Sequence, residues 1–114
     1  VLGSAPMRFT PWYPLAEASC HAPSGPGVYQ LRVRSGLRQY PTGKSAMVRY
    51  GFADELLACL GQLASEPALA ELLCRHGEEL SPAEAADPRA ALVELERAFE
   101  RRFGSQPSMS NEAG

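Results

Sequence analysis

The stretch from Gly25 to Gly51 reads GPGVYQLRVRSGLRQYPTGKSAMVRYG and decides the fold of the chain. Residues Val28 to Val33 alternate between apolar and polar side chains, and residues Ala46 to Tyr50 do so again. Alternation with a period of two is typical of a strand that buries one face. The stretch therefore predicts two strands, with a loop from Arg34 to Ser45 between them.

Each of these strands carries a tyrosine at an apolar position, Tyr29 in the first and Tyr50 in the second. If the strands pair as an antiparallel hairpin and both apolar faces pack against one core, the two tyrosines lie on the same side of the sheet.

Before the hairpin, the segment FTPWYPL from Phe9 to Leu15 interleaves aromatics with prolines, which favours an extended edge strand over a helix. After it, leucines at helical spacing predict a first helix from about Asp54 to Ala64. A second helix is predicted from Pro67 to Gly77, because proline is favoured at the first helical position and glycine at the end.

A third helix is predicted from Pro88 to Phe103, with Asp87 as its cap and Gly104 closing it. The fold class is therefore α+β: a small antiparallel sheet of two to three strands flanked by about three helices. One domain is expected over residues 8–104. Residues 1–7 are expected to be an added or disordered segment, and residues 105–114 a flexible tail.

The composition of the 114 residues, 45% hydrophobic and 21% charged, suits one globular domain. Because no apolar run reaches the length of a membrane span, we expect no membrane partner. The three cysteines form no CxxC spacing, which favours free thiols in a reducing, intracellular compartment, cytoplasmic or nuclear. A metal site built from Cys20, His21, Cys74 and His76 is disfavoured because adjacent ligands rarely converge on one ion. Buried thiols and surface histidines are the preferred interpretation.

The net charge of −2 conceals a basic zone. No acidic residue occurs between Glu17 and Asp54, whereas five basic residues do: Arg32, Arg34, Arg38, Lys44 and Arg49. A local basic zone in an acidic chain indicates a confined anion site. The alternative is that these side chains only keep the solvent face of a hairpin soluble.

The tetrad TGKS, residues 42–45, has the appearance of half a phosphate-binding loop. Such a loop needs a glycine five positions before the glycine of GKS, and a helix directly after it. Arg38 holds the first position, and the strand-like AMVRY follows Ser45. The sequence therefore predicts no nucleotide cofactor at this loop.

The last helix carries a carboxylate, Glu96, inside or beside the apolar arc defined by Leu92, Leu95, Phe99 and Phe103. Burying a carboxylate is costly unless it is paired or bound to a cation. Glu96 is thus a candidate metal ligand. The alternative is that it lies at the edge of the arc and reaches solvent or a nearby arginine.

The segments PGVYQLRV and VRYGFADELLACL together resemble the GIY-YIG domain. Gly27, Val28 and Tyr29 match the first triplet of that family. The second triplet matches less closely, because in Arg49-Tyr50-Gly51 the tyrosine occupies the middle position. The resemblance implies that the triplets lie on adjacent antiparallel strands and that a helix follows the second one.

Members of this family are typically nucleases that hydrolyse one phosphodiester bond with a single divalent cation, which implies Mg²⁺ or Mn²⁺ here. The resemblance implies catalytic roles for Tyr29, Tyr50 and Glu96, with Glu96 holding the metal. The helical arginine that steadies the phosphate corresponds to Cys59, and a thiol cannot replace a guanidinium. The other predicted nucleic-acid contacts are the basic residues Arg32, Lys44 and Arg49, and Arg49, Lys44 and Arg75 are the cations that could replace the missing arginine.

The family also has a third strand before its last helix, but residues 77–87 contain no β-branched or aromatic residue and indicate a loop. Either that strand is lost or FTPWYPL replaces it. Two functions remain open: a metal-dependent DNA endonuclease, or a catalytically degenerate module that binds nucleic acid or a protein partner. Trp12 and Tyr13 would be the surface to test for a protein partner.

Overall fold

The computed structural model describes residues 8–77 and 88–107. The expectations for residues 1–7, for the loop at 78–87 including the Asp87 cap, and for residues 108–114 lie outside these ranges. The described residues form six strands, one 3-10 helix and two α-helices, in the order β1 (Tyr13–Pro14), the 3-10 helix (Leu15–Cys20), β2 (Gly27–Arg32), β3 (Arg38–Tyr40), β4 (Gly43–Ser45), β5 (Met47–Ala53), α1 (Leu56–Ala64), β6 (Leu73–His76) and α2 (Pro88–Phe103).

Four strands form one antiparallel sheet in the order β1, β6, β2, β5, and β3 pairs only with β4. The predicted α+β class and the predicted antiparallel hairpin of β2 and β5 are confirmed. The edge strand expected in FTPWYPL is present as β1, although it is only two residues long. Neither α-helix in the described part of the chain is long and apolar enough to cross a membrane.

The prediction that Tyr29 and Tyr50 share one side of the sheet is wrong. In the register of β2 and β5, Tyr29 pairs with Gly51 and Gln30 pairs with Tyr50. Directly opposite residues share a face and successive residues alternate between faces, so the two tyrosines point to opposite sides. A shift of one residue in the position of the second tyrosine is enough to cause this.

Both faces of β2 are covered by other parts of the chain. The strand is therefore buried on both sides, whereas the alternating sequence predicts burial on one side. On the Tyr29 face the core consists of side chains from the 3-10 helix, α1 and the sheet, including Leu15, Leu31 and Leu60. On the Tyr50 face lies α2. Gln30 consequently has only 1% of its surface exposed, although it occupies a polar position in the sequence pattern.

The predicted helix from Pro67 to Gly77 is also wrong. The chain turns between Glu66 and Leu72 and then forms β6, which pairs with β2 on one side and with β1 on the other. A strand therefore lies between the two α-helices, at Leu73–His76, where the sequence pattern predicts a helix. Pairing with two distant strands outweighs the helix propensity of this alanine- and leucine-rich segment.

The two remaining helices are confirmed. α1 buries Leu56 and Leu60 against the sheet. α2 ends at Phe103, and Gly104 follows with φ +86°, a conformation that favours glycine. At the start of the segment expected to be a tail, the Gln106 side chain donates hydrogen bonds to the Glu96 carbonyl and the Glu100 carboxylate, each at 3.2 Å.

Candidate functional site

Tyr29, the tyrosine of the first triplet, is packed into the core and has 5% of its surface exposed. Burial raises the pKa of its hydroxyl. The positive charge of Arg49 lowers this pKa, and the neighbouring Cys59 thiol raises it further. Arg49 is directly opposite Leu31 and therefore shares the Tyr29 face, with its own side chain exposed. Position 59, which holds arginine in the family that the sequence resembles, thus lies beside Tyr29 but carries a thiol.

Tyr13 lies on the same face, in contact with both histidines of the described chain. Its hydroxyl lies 2.7 Å from Nδ1 of His76, and its ring stacks on His21 at a centroid distance of 4.3 Å. Burial holds the pKa of Tyr13 well above its usual range, so the hydroxyl that forms the hydrogen bond with Nδ1 stays protonated. His76 is buried, so its interpretation as a surface histidine is wrong.

The four-residue metal site disfavoured by the sequence does not form, because Cys20 is exposed at the end of the 3-10 helix whereas Cys74 and His76 are buried in β6. Within residues 8–77 and 88–107, no three histidine, cysteine or acidic side chains come together as metal ligands. All three thiols are free.

Tyr50 belongs to the other face, where its ring contacts Phe99 of α2 edge-on at 5.9 Å. Burial raises the pKa of Tyr50, while the nearby positive charge of Arg75 lowers it. The hydroxyl is therefore a neutral donor close to a guanidinium. It makes no hydrogen bond within the described part of the chain.

Glu96 is half-buried on α2, the helix that packs against the Tyr50 face. The sheet therefore separates this helix from the side chain of Tyr29. A metal centre that uses Tyr29, Tyr50 and Glu96 together does not fit this arrangement, because the two tyrosines point to opposite faces. No hydrolytic step through Mg²⁺ or Mn²⁺ follows from these three residues.

The three basic residues predicted to contact nucleic acid do not form one patch. Lys44 is exposed on β4, Arg49 lies on the Tyr29 face, and Arg32 lies on the Tyr50 face. Arg32 does gain a second arginine as a neighbour, because Arg75 projects from the adjacent strand β6 on the same face.

A cluster that the sequence pattern missed forms around Trp12. The guanidinium carbons of Arg32 and Arg75 lie 4.3 and 4.6 Å from the centroid of the Trp12 ring. Arg75 also lies 4.9 Å from the centroid of Phe9. We call Phe9, Trp12, Arg32 and Arg75 the arginine–tryptophan cluster. All four side chains are half-buried, so each keeps part of its surface in solvent.

The charges of this cluster are not neutralised within the described residues. Neither Arg32 nor Arg75 forms an ion pair with a carboxylate there. The Arg75 side chain donates from Nε to Oε1 of Gln30 at 2.9 Å, which leaves its two terminal nitrogens without an acceptor in that part of the chain. Burial lowers the pKa of Arg75, and the charge of Arg32 lowers it further. Two adjacent positive charges with no counterion among the described residues favour the binding of an anion.

The TGKS tetrad has a structural role at the end of α2. The Thr42 hydroxyl donates to the carbonyl of Arg102 at 2.8 Å, and its amide donates to the carbonyl of Phe103 at 3.1 Å. These carbonyls have no partner inside the helix, so Thr42 caps its C-terminus. A nucleotide-binding loop of this type needs a helix directly after it. The element that follows Ser45 is the strand β5, as the sequence predicts.

Comparisons with known proteins add no relative of this chain. No protein-family model matches it, and neither a curated protein nor a solved structure does. A proposal of function therefore depends on the chemistry of the residues described above.

Proposed function

We propose that the chain is a GIY-YIG-like module that binds nucleic acid through the arginine–tryptophan cluster and does not cut it. One observation carries this proposal. Arg32 and Arg75 stack on Trp12 at 4.3 and 4.6 Å and have no carboxylate partner among the described residues.

The chemistry of the cluster suits a nucleic acid better than a simple anion. A guanidinium matches the geometry of a phosphate and is always charged. Aromatic rings beside it offer surfaces on which bases stack, a combination found in many proteins that bind nucleic acid. Because the whole chain carries a net charge of −2, it attracts a nucleic acid only where positive charges are concentrated, as they are in this cluster.

The order of the elements supports the likeness to the GIY-YIG domain. The two triplets lie on the adjacent antiparallel strands β2 and β5, and α1 follows the second triplet within a few residues. The third strand β6 pairs with the other side of β2, and a further helix comes last.

Three features argue against cutting. Cys59 occupies the position of the phosphate-binding arginine. The Tyr29 ring is buried in the core. The helix that carries Glu96 packs on the face opposite Tyr29. A base, a cation and a metal ligand must converge around one phosphate for hydrolysis, and these residues do not converge.

The proposal is tested by fluorescence anisotropy with labelled DNA and RNA at low salt. The double variant Arg32→Gln, Arg75→Gln should bind at least about tenfold more weakly than the parent protein, because both cations of the phosphate site are lost. Arg97→Gln is the matched control, since this exposed arginine of α2 lies outside the cluster. Thermal unfolding of each variant shows that the fold is intact.

Equal affinity of the double variant and the parent would overturn the proposal. So would an equal loss in Arg97→Gln, because the attraction would then be diffuse. If the parent shows no salt-dependent affinity for any nucleic acid, the proposal fails in favour of a protein partner.

A further inference from the structure

We infer that the ligand of the arginine–tryptophan cluster is single-stranded nucleic acid, with a phosphate held by Arg75, Arg32 and the hydroxyl of Tyr50 and an unpaired base stacked beside Trp12. This inference rests on the proposed function and names its substrate class. It also assigns a role to Tyr50 on the face opposite Tyr29.

The phosphate site is built from one row across three strands. Gln30 of β2 pairs with Tyr50 of β5 on one side and with Arg75 of β6 on the other, so all three side chains project from the same face. Neighbouring strands lie about 4.8 Å apart, which brings the ends of the row within reach of one phosphate group. Gln30 accepts the Nε–H of Arg75 and thereby fixes the orientation of its guanidinium.

The donors of this row are free of other partners in the described residues. The Tyr50 hydroxyl and the terminal nitrogens of Arg75 make no hydrogen bond there, and neither does the guanidinium of Arg32. The Tyr50 ring is held by its edge-on contact with Phe99, so the position of its hydroxyl is set by packing. Hydrogen bonds from charged donors to an anion are about twice as strong as neutral ones.

The base site is formed by the aromatic and guanidinium groups next to this phosphate site. Phe9 and Trp12 come from the segment that runs along the edge of the sheet, and the Arg75 guanidinium lies over both rings. Unpaired bases stack on aromatic rings and on guanidinium planes, and such contacts are a main source of affinity for single strands. The bases of a duplex are already stacked on each other and are not available for this contact.

Trp12 itself reports on the inference, because it is the only tryptophan of the chain. Its intrinsic fluorescence is followed during titration with a single-stranded oligonucleotide, with the duplex of the same sequence, and with an abasic strand of the same length. We expect the single strand to quench Trp12 and to bind about tenfold more tightly than the duplex. The abasic strand should bind more weakly and leave the fluorescence unchanged.

A second variant tests the hydroxyl. Tyr50→Phe keeps the ring that contacts Phe99 and removes only the donor, so the fold is preserved while affinity for the single strand falls about three- to tenfold. The thermal unfolding curve of this variant should match that of the parent.

The outcomes separate this inference from the proposed function. The inference would be overturned if duplex and single strand bound equally well and Trp12 fluorescence did not change. If the double variant Arg32→Gln, Arg75→Gln still lost binding in that case, the proposed function would stand. Unchanged affinity in Tyr50→Phe would overturn the role of the hydroxyl. If an acidic phosphoserine peptide quenched Trp12 fluorescence as strongly as the oligonucleotide, the assignment of nucleic acid as the ligand would be overturned. Absence of any nucleic-acid binding would overturn both proposals.

Discussion

The ring of Tyr29 lies directly over Gly51 on the neighbouring strand. A Cβ atom at position 51 would overlap Cζ and the hydroxyl oxygen of Tyr29. The two residues are also direct partners in the register of β2 and β5. The close approach of the Tyr29 ring therefore requires a glycine at position 51.

Gly51→Ala should lower the free energy of unfolding by about 1–3 kcal/mol, because the buried Tyr29 ring has to move. Gly61→Ala is the matched control. Gly61 lies within α1, and a Cβ atom added there would meet no other atom within 4 Å, so it has open space. Alanine at position 61 should therefore raise stability by about 0.5–1 kcal/mol. Urea denaturation measures both, and equal stability of Gly51→Ala and the parent would contradict the contact.

Thr42→Ala should lower the free energy of unfolding by about 0.5–1.5 kcal/mol, because the hydroxyl that caps α2 at the Arg102 carbonyl is lost. Thr42→Ser retains the hydroxyl and should recover most of the stability. Lys44→Ala removes an exposed side chain of the same tetrad and should have no effect. If Lys44→Ala were as destabilising as Thr42→Ala, the capping role would be wrong.

Stability should fall in alkaline solution. Burial raises the pKa of Cys74 from 9.0 to about 11, with Cys59 adding to the rise and a hydrogen bond to Tyr13 opposing it. The unfolded chain releases this proton at lower pH than the folded protein does. This thiol therefore has no effect on the free energy of unfolding below about pH 9, and it lowers that free energy between pH 9 and 11 by about 1.4 kcal/mol per pH unit.

The same pH series on two cysteine variants identifies the group. In Cys74→Ala the decrease between pH 9 and 11 should be shallower, whatever the stability at neutral pH. Cys20→Ala, which changes an exposed thiol, should follow the parent. Parallel curves for Cys74→Ala and the parent would rule out this thiol as the origin.

An arginine at position 59, where the family that the sequence resembles has one, should not create a nuclease. We expect neither the parent nor Cys59→Arg to nick supercoiled DNA in Mg²⁺ or Mn²⁺, because the helix carrying Glu96 packs on the face opposite Tyr29. Metal-dependent nicking that disappears in Glu96→Gln would contradict this separation of the residues.

Local patterns in the sequence predict much of the fold. The alternation around Tyr29 and Tyr50 predicts the β2–β5 hairpin, and proline and glycine at the two ends predict α2. The sequence does not predict β6, because four residues in a helix-favouring segment form a strand only through pairing with β1 and β2. That pairing is a long-range effect that local propensity does not contain.

The candidate site is harder to predict for the same reason. Trp12, Arg32 and Arg75 come from three distant segments, and only the strand order β1, β6, β2 brings them together. If residues 67–77 formed the helix that the local pattern predicts, Arg75 would not be part of the sheet and would lie on neither of its faces. Which face of the sheet carries Tyr50 depends on the register of β5 against β2, because a shift of one residue moves a side chain to the other face. The apolar alternation alone does not determine that register.

The most direct test of nucleic-acid binding by the arginine–tryptophan cluster is the salt dependence of the dissociation constant for a single-stranded oligonucleotide. Log affinity falls with log salt concentration by about 0.7 per neutralised phosphate on single strands. Arg32→Gln, Arg75→Gln removes both cations from one phosphate, so the double variant should reduce the slope by about 0.7 relative to the parent. Arg97→Gln should leave the slope unchanged. Identical slopes for the parent and the double variant would contradict the central claim.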